Sequence, residues 1–385
     1  MSESLFSSIT ASFLDRFGGS PARFQSPGRI NLIGEHTDYN GGFVLPAGID
    51  LCCRVVIAPT QEARSVVVAF DLNEEFSFDA NALPAQCPTW AAYILGVIHA
   101  MGKRGKIIGN FQAVFSSDIP IGAGLSSSAA LESVFAFALN DLFRLQLDRM
   151  ELTRIAQQAE NEYVGLQCGI MDMFASIHAR KDQAIQLDCR TLDFHYVPLH
   201  MNDHLILLVD TGIKHELASS EYNVRRQECE EVVQLFHDLG YAIQSLRDIT
   251  MQQLEMQRDR LSPLLLKRAR HVVSENERVL EFVKSMQEGD WQSAGQLLYA
   301  SHYSLCDDYA VSCNELDFLV KTIKPLDGVI GSRMMGGGFG GCTISIVEKS
   351  CLEAVMKAVN FAYQESFGIA PKSYIAQTGN GACAI

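Results

Sequence analysis

The sequence has no long hydrophobic run, and this absence excludes the simplest kinds of membrane protein. No apolar stretch in its 385 residues approaches the roughly 18 residues that a membrane-spanning helix requires. The N-terminus also lacks the basic segment followed by an apolar segment that marks a secretory signal. We therefore expect a soluble protein of the cytoplasm that has no membrane partner.

Positive charge is also scarce. The chain has 31 lysines and arginines against 45 aspartates and glutamates, and its formal net charge is -14. Binding to a nucleic-acid backbone requires clustered lysine and arginine, so we expect no nucleic-acid partner. The deficit does not exclude a single nucleotide, because a few local donors are enough to hold one.

Cysteine pairs with metal-binding spacing are absent. The eleven cysteines are scattered, no pair has C-x-x-C spacing, and no histidine is placed to complete a zinc site. This usage is typical of reduced, partly buried thiols in the cytosol.

Apolar residues are abundant. They make up 48% of the chain, which is enough for a sizeable core. At roughly 150 residues per domain, the length favours two or three domains. Strand-like patterns occur at residues 65–70, 111–115, 184–187, 204–210 and 342–347. Helical patterns occur at residues 90–103, 127–142, 152–163, 221–239, 263–287 and 352–367. Because strands and helices do not alternate regularly, we predict the α+β class, with one domain at 1–180 and another at 181–385.

The first unusual segment spans residues 26–42 and reads SPGRINLIGEHTDYNGG. Partial alternation of polar and apolar residues predicts a strand that carries Arg29, followed by a turn that carries the Glu-His-Thr-Asp run. Such a turn directs several donors and acceptors towards one polyhydroxylated ligand, although a plain surface loop could hold the same charges.

The second segment spans residues 120–132 and reads PIGAGLSSSAALE. A strand that ends near Phe115 leads into a glycine-rich turn, and a helix begins at the serines. The free N–H groups and the positive dipole end of such a helix favour phosphate. The segment is neither a Walker A loop nor a nucleophile elbow, and its alternative interpretation is an ordinary helix capped by serine.

The third segment spans residues 333–342 and reads RMMGGGFGGC. It contains a G-x-G-x-x-G pattern, but it leads into a strand, so a dinucleotide-binding interpretation is excluded. Five glycines in six positions indicate close approach of the backbone to a ligand or to another loop, or else a purely structural turn.

In this order, the three segments resemble the motifs of the GHMP small-molecule kinases, and RINLIGEHTDYN is similar to the signature of the galactokinase family. Further matching stretches are CGIMD at 168–172, SEYNVRR at 220–226 and the spacing of Trp90, Tyr93 and Gly96. The likeness runs from about residue 20 to the C-terminus. It implies ATP-dependent phosphorylation of galactose at the C1 hydroxyl, giving galactose 1-phosphate and ADP, by a monomeric enzyme. It also implies an N-terminal α+β domain and a ferredoxin-like C-terminal α+β domain with the active site between them.

The resemblance implies a role for each matching residue. Asp172 would be the base that faces the C1 hydroxyl. Arg29 would lie beside it, where it favours the ionised carboxylate and stabilises the charge that develops during transfer. The residues implied to bind the sugar are Glu35, His36, Thr37, Asp38, Gly169 and Tyr222.

The nucleotide has its own implied residues. Those for ATP are Gly122, Ala123, Gly124, Leu125, Ser126, Ser127, Ser128 and Trp90. Ser128 and Glu160 would hold Mg²⁺, a hard cation that prefers oxygen ligands. The residue types leave alternatives open: Trp90 as a core aromatic, Glu160 on a solvated helix face, and Asp172 as a surface carboxylate in a salt bridge.

One position departs from the family pattern, and two other functions are open. Met335 stands where the family usually has threonine before the glycines, and we predict that Met335→Thr leaves turnover within a few-fold. A kinase for a related sugar, such as N-acetylgalactosamine or L-arabinose, is the nearest alternative. A non-catalytic galactose sensor is disfavoured, because the serine motif GLSSSAA is complete.

Overall fold

The computed structural model describes residues 2–199, 201–214 and 218–385. Within these residues the strands form three sheets, and helices pack against them. The strands are β1 Ala22–Asn31, β2 Phe43–Val44, β3 Pro46–Pro59, β4 Ser65–Ala69, β5 Glu74–Phe78, β6 Phe111–Ser117, β7 Gln183–Asp188, β8 Phe194–Pro198, β9 His204–Lys214, β10 Val329–Met334, β11 Gly340–Glu348, β12 Lys372–Ala376 and β13 Cys383–Ala384. The helices are α1 Ser2–Phe17, α2 Thr89–Lys103, α3 Ser127–Leu142, α4 Arg149–Ala159, α5 Met171–His178, α6 Ala218–Asp238, α7 Met251–Met256, α8 Pro263–Glu288, α9 Trp291–Asp307, α10 Asn314–Ile323 and α11 Leu352–Phe367.

The largest sheet has the order β13-β1-β3-β6-β4-β5. Its neighbouring strands are antiparallel except for β4 and β6, which are parallel. Helices α3 and α5 pack against β1 and β3, and their apolar side chains join those of the strands in the main core. The pairing of β1 with β3 shifts between Pro27 and Arg29. Such an irregularity redirects the side chains that follow it, and Arg29 is the first of them.

A second, antiparallel sheet has the order β10-β11-β9-β12. Helices α9 and α10 pack against β10, and α10 also packs against α11. The turn between β10 and β11 is the glycine-rich segment of residues 333–342. It therefore lies at one end of this sheet, as the pattern of a strand following the glycines predicts.

The predicted domain boundary at residue 180 does not separate the sheets. A small third sheet pairs β2 with β7, and β13 at the C-terminus pairs with β1. Strands from both sides of the predicted boundary thus share two of the sheets. The α+β class is confirmed, whereas the boundary at 180 stays a prediction.

Local sequence explains where several helices begin and end. Asp148 and Glu151 form a capping box at the start of α4. Ser262 caps α8, Pro263 occupies its first position, and Gly289 ends it in the left-handed conformation. These signals supply partners for backbone groups that a helix end leaves unpaired.

Each predicted strand and helix overlaps an observed one, and two of the predicted helices, 127–142 and 352–367, coincide with α3 and α11. The helix predicted at 152–163 differs, because α4 ends at Ala159 and a π-helical turn, Glu160–Val164, follows. Single π-helical turns widen a helix locally and often occur at functional sites. None of the helices that the structure describes combines the length and the apolar character needed to cross a membrane.

Candidate active site

The three unusual segments meet around one cavity of about 350 Å³. Arg29 and Glu35 line it from the first segment, Gly124 and Ser128 from the second, and the glycines 336–338 from the third. Asp172 also lines this cavity. Sequence elements more than 300 residues apart therefore converge on a space large enough for a small polar ligand.

Arg29 and Asp172 form a bidentate ion pair at this cavity. Arg29 Nε donates to Asp172 Oδ1 at 2.9 Å, and Arg29 Nη2 donates to Oδ2 at 3.1 Å. The Arg29 side chain is 4% exposed and that of Asp172 is 29% exposed. The pair thus has a buried cation whose partner carboxylate still faces the cavity.

The backbone explains why these two side chains meet. Arg29 lies near the end of β1, and Asp172 lies in the first turn of α5, where the helix dipole favours a negative charge. Burial opposes the charge of Arg29, but Asp172 and Glu35 outweigh this effect, and the pKa of Arg29 is raised. The guanidinium therefore stays charged.

Asp38 and Gly169 are in contact where both line the cavity. A Cβ atom on Gly169 would lie 2.0 Å from Asp38 Oδ2, so only glycine leaves room for this carboxylate. Burial, and then the nearby carboxylate of Asp172, raise the pKa of Asp38 to about 7. Asp38 is thus an acceptor or a donor for a hydroxyl near neutral pH.

Glu35 joins the first segment to the glycine-rich segment. Its Oε1 atom accepts from the backbone N–H of Gly336 at 2.7 Å and from Arg333 Nη2 at 3.1 Å. Both side chains of the ion pair are almost fully buried, Arg333 at 0% and Glu35 at 2%. Glu35 therefore has a fixed orientation where it lines the cavity.

His36 lies in a directed chain of hydrogen bonds. Its Nε2 atom is 3.2 Å from the carbonyl oxygen of Gly337, which only accepts, so Nε2 carries the proton. The Nδ1 atom consequently accepts from Tyr39 at 2.7 Å, and the Tyr39 hydroxyl accepts from Tyr309 at 2.8 Å. Burial lowers the pKa of His36 to about 3, so the ring is neutral. A hydrogen bond from His36 to a sugar requires the exchange of one of these two bonds.

Thr37 does not join the residues that line the cavity. Its side chain is fully buried, and its hydroxyl lies within hydrogen-bond distance of the carbonyl oxygens of Gly34 and Phe43, at 2.9 and 2.6 Å. The Thr37 hydroxyl therefore holds the turn, and the expected sugar contact of Thr37 stays a prediction. Tyr222, on α6, does line the cavity, and its ring centroid lies 5.2 Å from that of His36.

The phosphate-loop residues divide into two groups. Gly122, Gly124 and Ser128 line the cavity, whereas Ala123 and Leu125 bury their side chains in the main core, so a nucleotide could contact only their backbone. A Cβ atom on Gly124 would lie 3.1 Å from the carbonyl oxygen of Met335. The close approach of the two glycine-rich segments is therefore confirmed.

A second cavity of about 550 Å³ adjoins the first at Ser128 and is more apolar. Ser127, Tyr93, Ile121 and Trp90 are among the residues that line it. Trp90 is also part of the main core, and its Nε1 atom donates to Glu74 Oε2 at 2.6 Å. Trp90 is thus a core aromatic that also lines the cavity. The core interpretation and a contact with a ligand in the cavity are therefore compatible.

Glu160 and Ser128 form an oxygen-rich pair where the two cavities meet. Ser128 Oγ donates to Glu160 Oε1 at 3.1 Å, and Glu160 is buried in the π-helical turn, which excludes the solvated helix face. Burial, and then Asp172, raise the pKa of Glu160 to about 7. One hydroxyl and one carboxylate fit Mg²⁺, which takes few protein ligands and fills the rest with water and phosphate oxygens. No cluster of three or more His, Cys, Asp or Glu ligands occurs in the described part of the chain.

The sequence motifs assign no role to several residues that support the site. Arg333 donates to the carbonyl oxygens of Asn31 and Leu32, and Glu275 accepts from the backbone N–H of Gly34. Burial opposes the charge of Glu275, but Arg278 and further partners, among them Arg333 and Ser301, together lower the pKa of Glu275 to about 2. The sequence contains one signal for Arg333, because it is a cation close to apolar residues of a strand. A charge buried in this way requires partners.

Met335 is buried, and its sulfur accepts from the backbone N–H of Asn31 at 3.4 Å. Met335→Thr should keep kcat within a few-fold, because the glycines that line the cavity are unchanged. It should lower the free energy of unfolding by about 1–3 kcal/mol, because a smaller side chain leaves unfilled space in the core. Steady-state kinetics and urea unfolding measure the two effects. A tenfold or larger rise in kcat would show that methionine impairs this loop.

Comparisons with known proteins agree with this geometry. The chain matches the GHMP kinases N terminal domain at residues 92–180, the galactokinase galactose-binding signature at 11–59 and the GHMP kinases C terminal domain at 282–365. It is 44% identical over 359 residues to a galactokinase of Thermosipho africanus, covering 93% of this chain and 98% of that protein. It is 42% identical to a galactokinase of Clostridium acetobutylicum over 367 residues, covering 93% of each.

Solved structures give the same assignment. The crystal structure of Lactococcus lactis galactokinase complexed with galactose matches with a TM-score of 0.95 and 37% identity, covering 99% of this chain and 100% of that one. The mevalonate kinase of Methanococcus jannaschii, at 17% identity and a TM-score of 0.64 over 94% of this chain and 99% of its own, shares the fold. From the converging motifs and these relatives, the chain belongs to the galactokinase family of the GHMP kinases.

Proposed function

We propose that this chain transfers the γ-phosphate of ATP to the C1 hydroxyl of galactose, giving galactose 1-phosphate and ADP. The observation that carries the proposal is the Arg29–Asp172 ion pair in the polar cavity, next to the glycine-serine loop. The galactose in the related Lactococcus lactis structure supports galactose as the acceptor. The apolar cavity that adjoins at Ser128 has the size and character for an adenine nucleotide.

Each group has a defined task in this mechanism. Asp172 accepts the proton of the C1 hydroxyl of the sugar. The oxygen of this hydroxyl attacks the γ-phosphorus of ATP, and ADP leaves. Arg29 and the N-terminus of α3 stabilise the negative charge that spreads over the phosphoryl oxygens. Ser128 and Glu160 would hold Mg²⁺, whose chemistry is to neutralise charge on the β- and γ-phosphates.

Sugar specificity is tested by comparing acceptors. With MgATP and a coupled assay of ADP release, we expect kcat/KM to be highest for galactose among galactose, N-acetylgalactosamine, glucose and L-arabinose. Asp38, held against Gly169, is a fixed partner for a sugar hydroxyl, and a poorly matched hydroxyl leaves this buried group unpaired. A higher kcat/KM for another sugar would replace galactose in the proposal. Galactose binding without ADP release would indicate a sensor.

The remaining expectations stay predictions. The monomeric state follows from the resemblance. The cytoplasmic location and the bound Mg²⁺ follow from the sequence and the resemblance. Sedimentation velocity and a titration of activity with Mg²⁺ test the first and the last of these.

A further inference from the structure

Ser126 has an unusual backbone conformation at the start of α3. Its φ and ψ angles are 57° and 51°, in the left-handed region. A residue with a Cβ atom is strained there, whereas glycine is not. Strain of this kind is kept where the surrounding structure requires it, and it often marks a functional position.

Ser126 also does not act as a helix cap. A serine at this position normally accepts a hydrogen bond from an N–H group in the first turn of the helix. The side chain of Ser126 makes no such bond, and its hydroxyl instead donates to Asp172 Oδ2. The first amides of α3 are thus left for an anionic ligand.

The loop holds both members of the ion pair. Arg29 Nη1 donates to the carbonyl oxygen of Gly124. The backbone N–H of Arg29 donates to the carbonyl oxygen of Leu125 at 3.0 Å. Ser126 then contacts Asp172, whose Oδ2 atom also accepts from Arg29 Nη2. Three consecutive loop residues therefore fix the positions of the cation and the carboxylate.

We propose that Ser126 is a positioning residue for Asp172 and not a phosphate ligand. Its hydroxyl and the Arg29 guanidinium hold the carboxylate plane from two directions, so that the remaining acceptor positions face the cavity. The loop that receives the nucleotide thereby orients the base that receives the proton. This inference rests on the proposed function, because it assumes that Asp172 faces the reacting hydroxyl.

The test compares Ser126→Ala and Ser126→Gly with the wild-type enzyme. Both remove the hydroxyl, so kcat should fall about ten- to hundredfold, the effect of one hydrogen bond to a charged group. KM for ATP and for galactose should stay within about threefold, because this interaction acts on the chemical step. Ser126→Gly should keep or raise the melting temperature, because glycine relieves the left-handed strain.

Two further variants separate positioning from structure. Ser126→Asn should recover part of kcat, because asparagine tolerates the left-handed region and its amide donates. Ser133→Ala is the matched control on α3, where the buried hydroxyl has no hydrogen-bond partner, and it should leave kcat unchanged.

Three outcomes are decisive. A large rise in KM for ATP with unchanged kcat would show that Ser126 binds phosphate, and the inference would be wrong. Wild-type kcat in Ser126→Gly would overturn it as well. If the wild-type enzyme itself releases no ADP with any sugar, the proposed function fails, which is a different result from the loss of this one role.

Discussion

Asp172→Asn is expected to lower kcat by about 10²- to 10⁴-fold, the range that a general base contributes. Asparagine has nearly the same shape, but its amide cannot take the proton of the sugar hydroxyl at neutral pH. The affinity for ATP should change by less than about twofold, because the lost interaction belongs to the chemical step and not to nucleotide binding. Coupled ADP release gives kcat, and titration calorimetry gives the ATP affinity.

The control for this variant is Asp193→Asn, at an exposed position near β7, which should behave as wild type. The melting temperature must be measured in parallel, because the substitution leaves the buried Arg29 with one carboxylate oxygen fewer. Retention of more than about a tenth of the wild-type kcat by a folded Asp172→Asn enzyme would contradict the base role. The carboxylate would then only orient the hydroxyl.

The sequence motifs can be recognised individually, but the contact between Arg29 and Asp172 cannot be predicted from the local sequence. Arg29 and Asp172 are separated by 143 positions, and no spacing rule brings them together. The resemblance to a family suggested the pair, and the geometry of β1, its irregular pairing with β3 and the short helix α5 give the physical reason. Tertiary contacts of this kind are not encoded in local periodicity.

The secondary structure is easier to predict from this sequence than the tertiary contacts that support the site. Helices α3 and α11 were predicted with their observed bounds, because each has a long run of helix-forming residues. The strands β1 and β3 were harder, since proline and glycine interrupt their alternation at 27–28 and 46–48. The helix α5 has only eight residues, which is too short for a periodic signal.

Residue type alone was insufficient where a side chain has more than one possible partner. The sequence resemblance assigns Ser126 and Thr37 to ligands, yet the hydroxyl of Ser126 contacts Asp172 and that of Thr37 contacts two backbone carbonyls. A serine or threonine hydroxyl bonds to backbone, carboxylate or ligand with similar ease. The choice depends on backbone conformation, as the left-handed φ of Ser126 illustrates.

The second large effect is expected for Arg333→Leu, which should lower the free energy of unfolding by about 3–5 kcal/mol. The guanidinium is fully buried and donates to three carbonyl oxygens, those of Asn31, Leu32 and Met334, and to Glu35. Leucine fills part of the volume but removes the Arg333 donor from the three carbonyl oxygens and leaves Glu35 Oε1 with the N–H of Gly336 alone. Urea unfolding followed by circular dichroism measures the loss.

The effect should be specific to this network. Arg260→Leu, at an exposed position, should change the free energy of unfolding by less than about 0.5 kcal/mol. Arg333→Lys keeps the charge but not the planar fork, so it should be intermediate in stability. It should also raise KM for galactose, because Glu35 loses part of its fixed orientation at the cavity. A loss below about 1 kcal/mol in Arg333→Leu would mean that water or a rearranged backbone satisfies these carbonyls. The glycine-rich segment and the sugar signature would then be held together mainly by their close backbone packing.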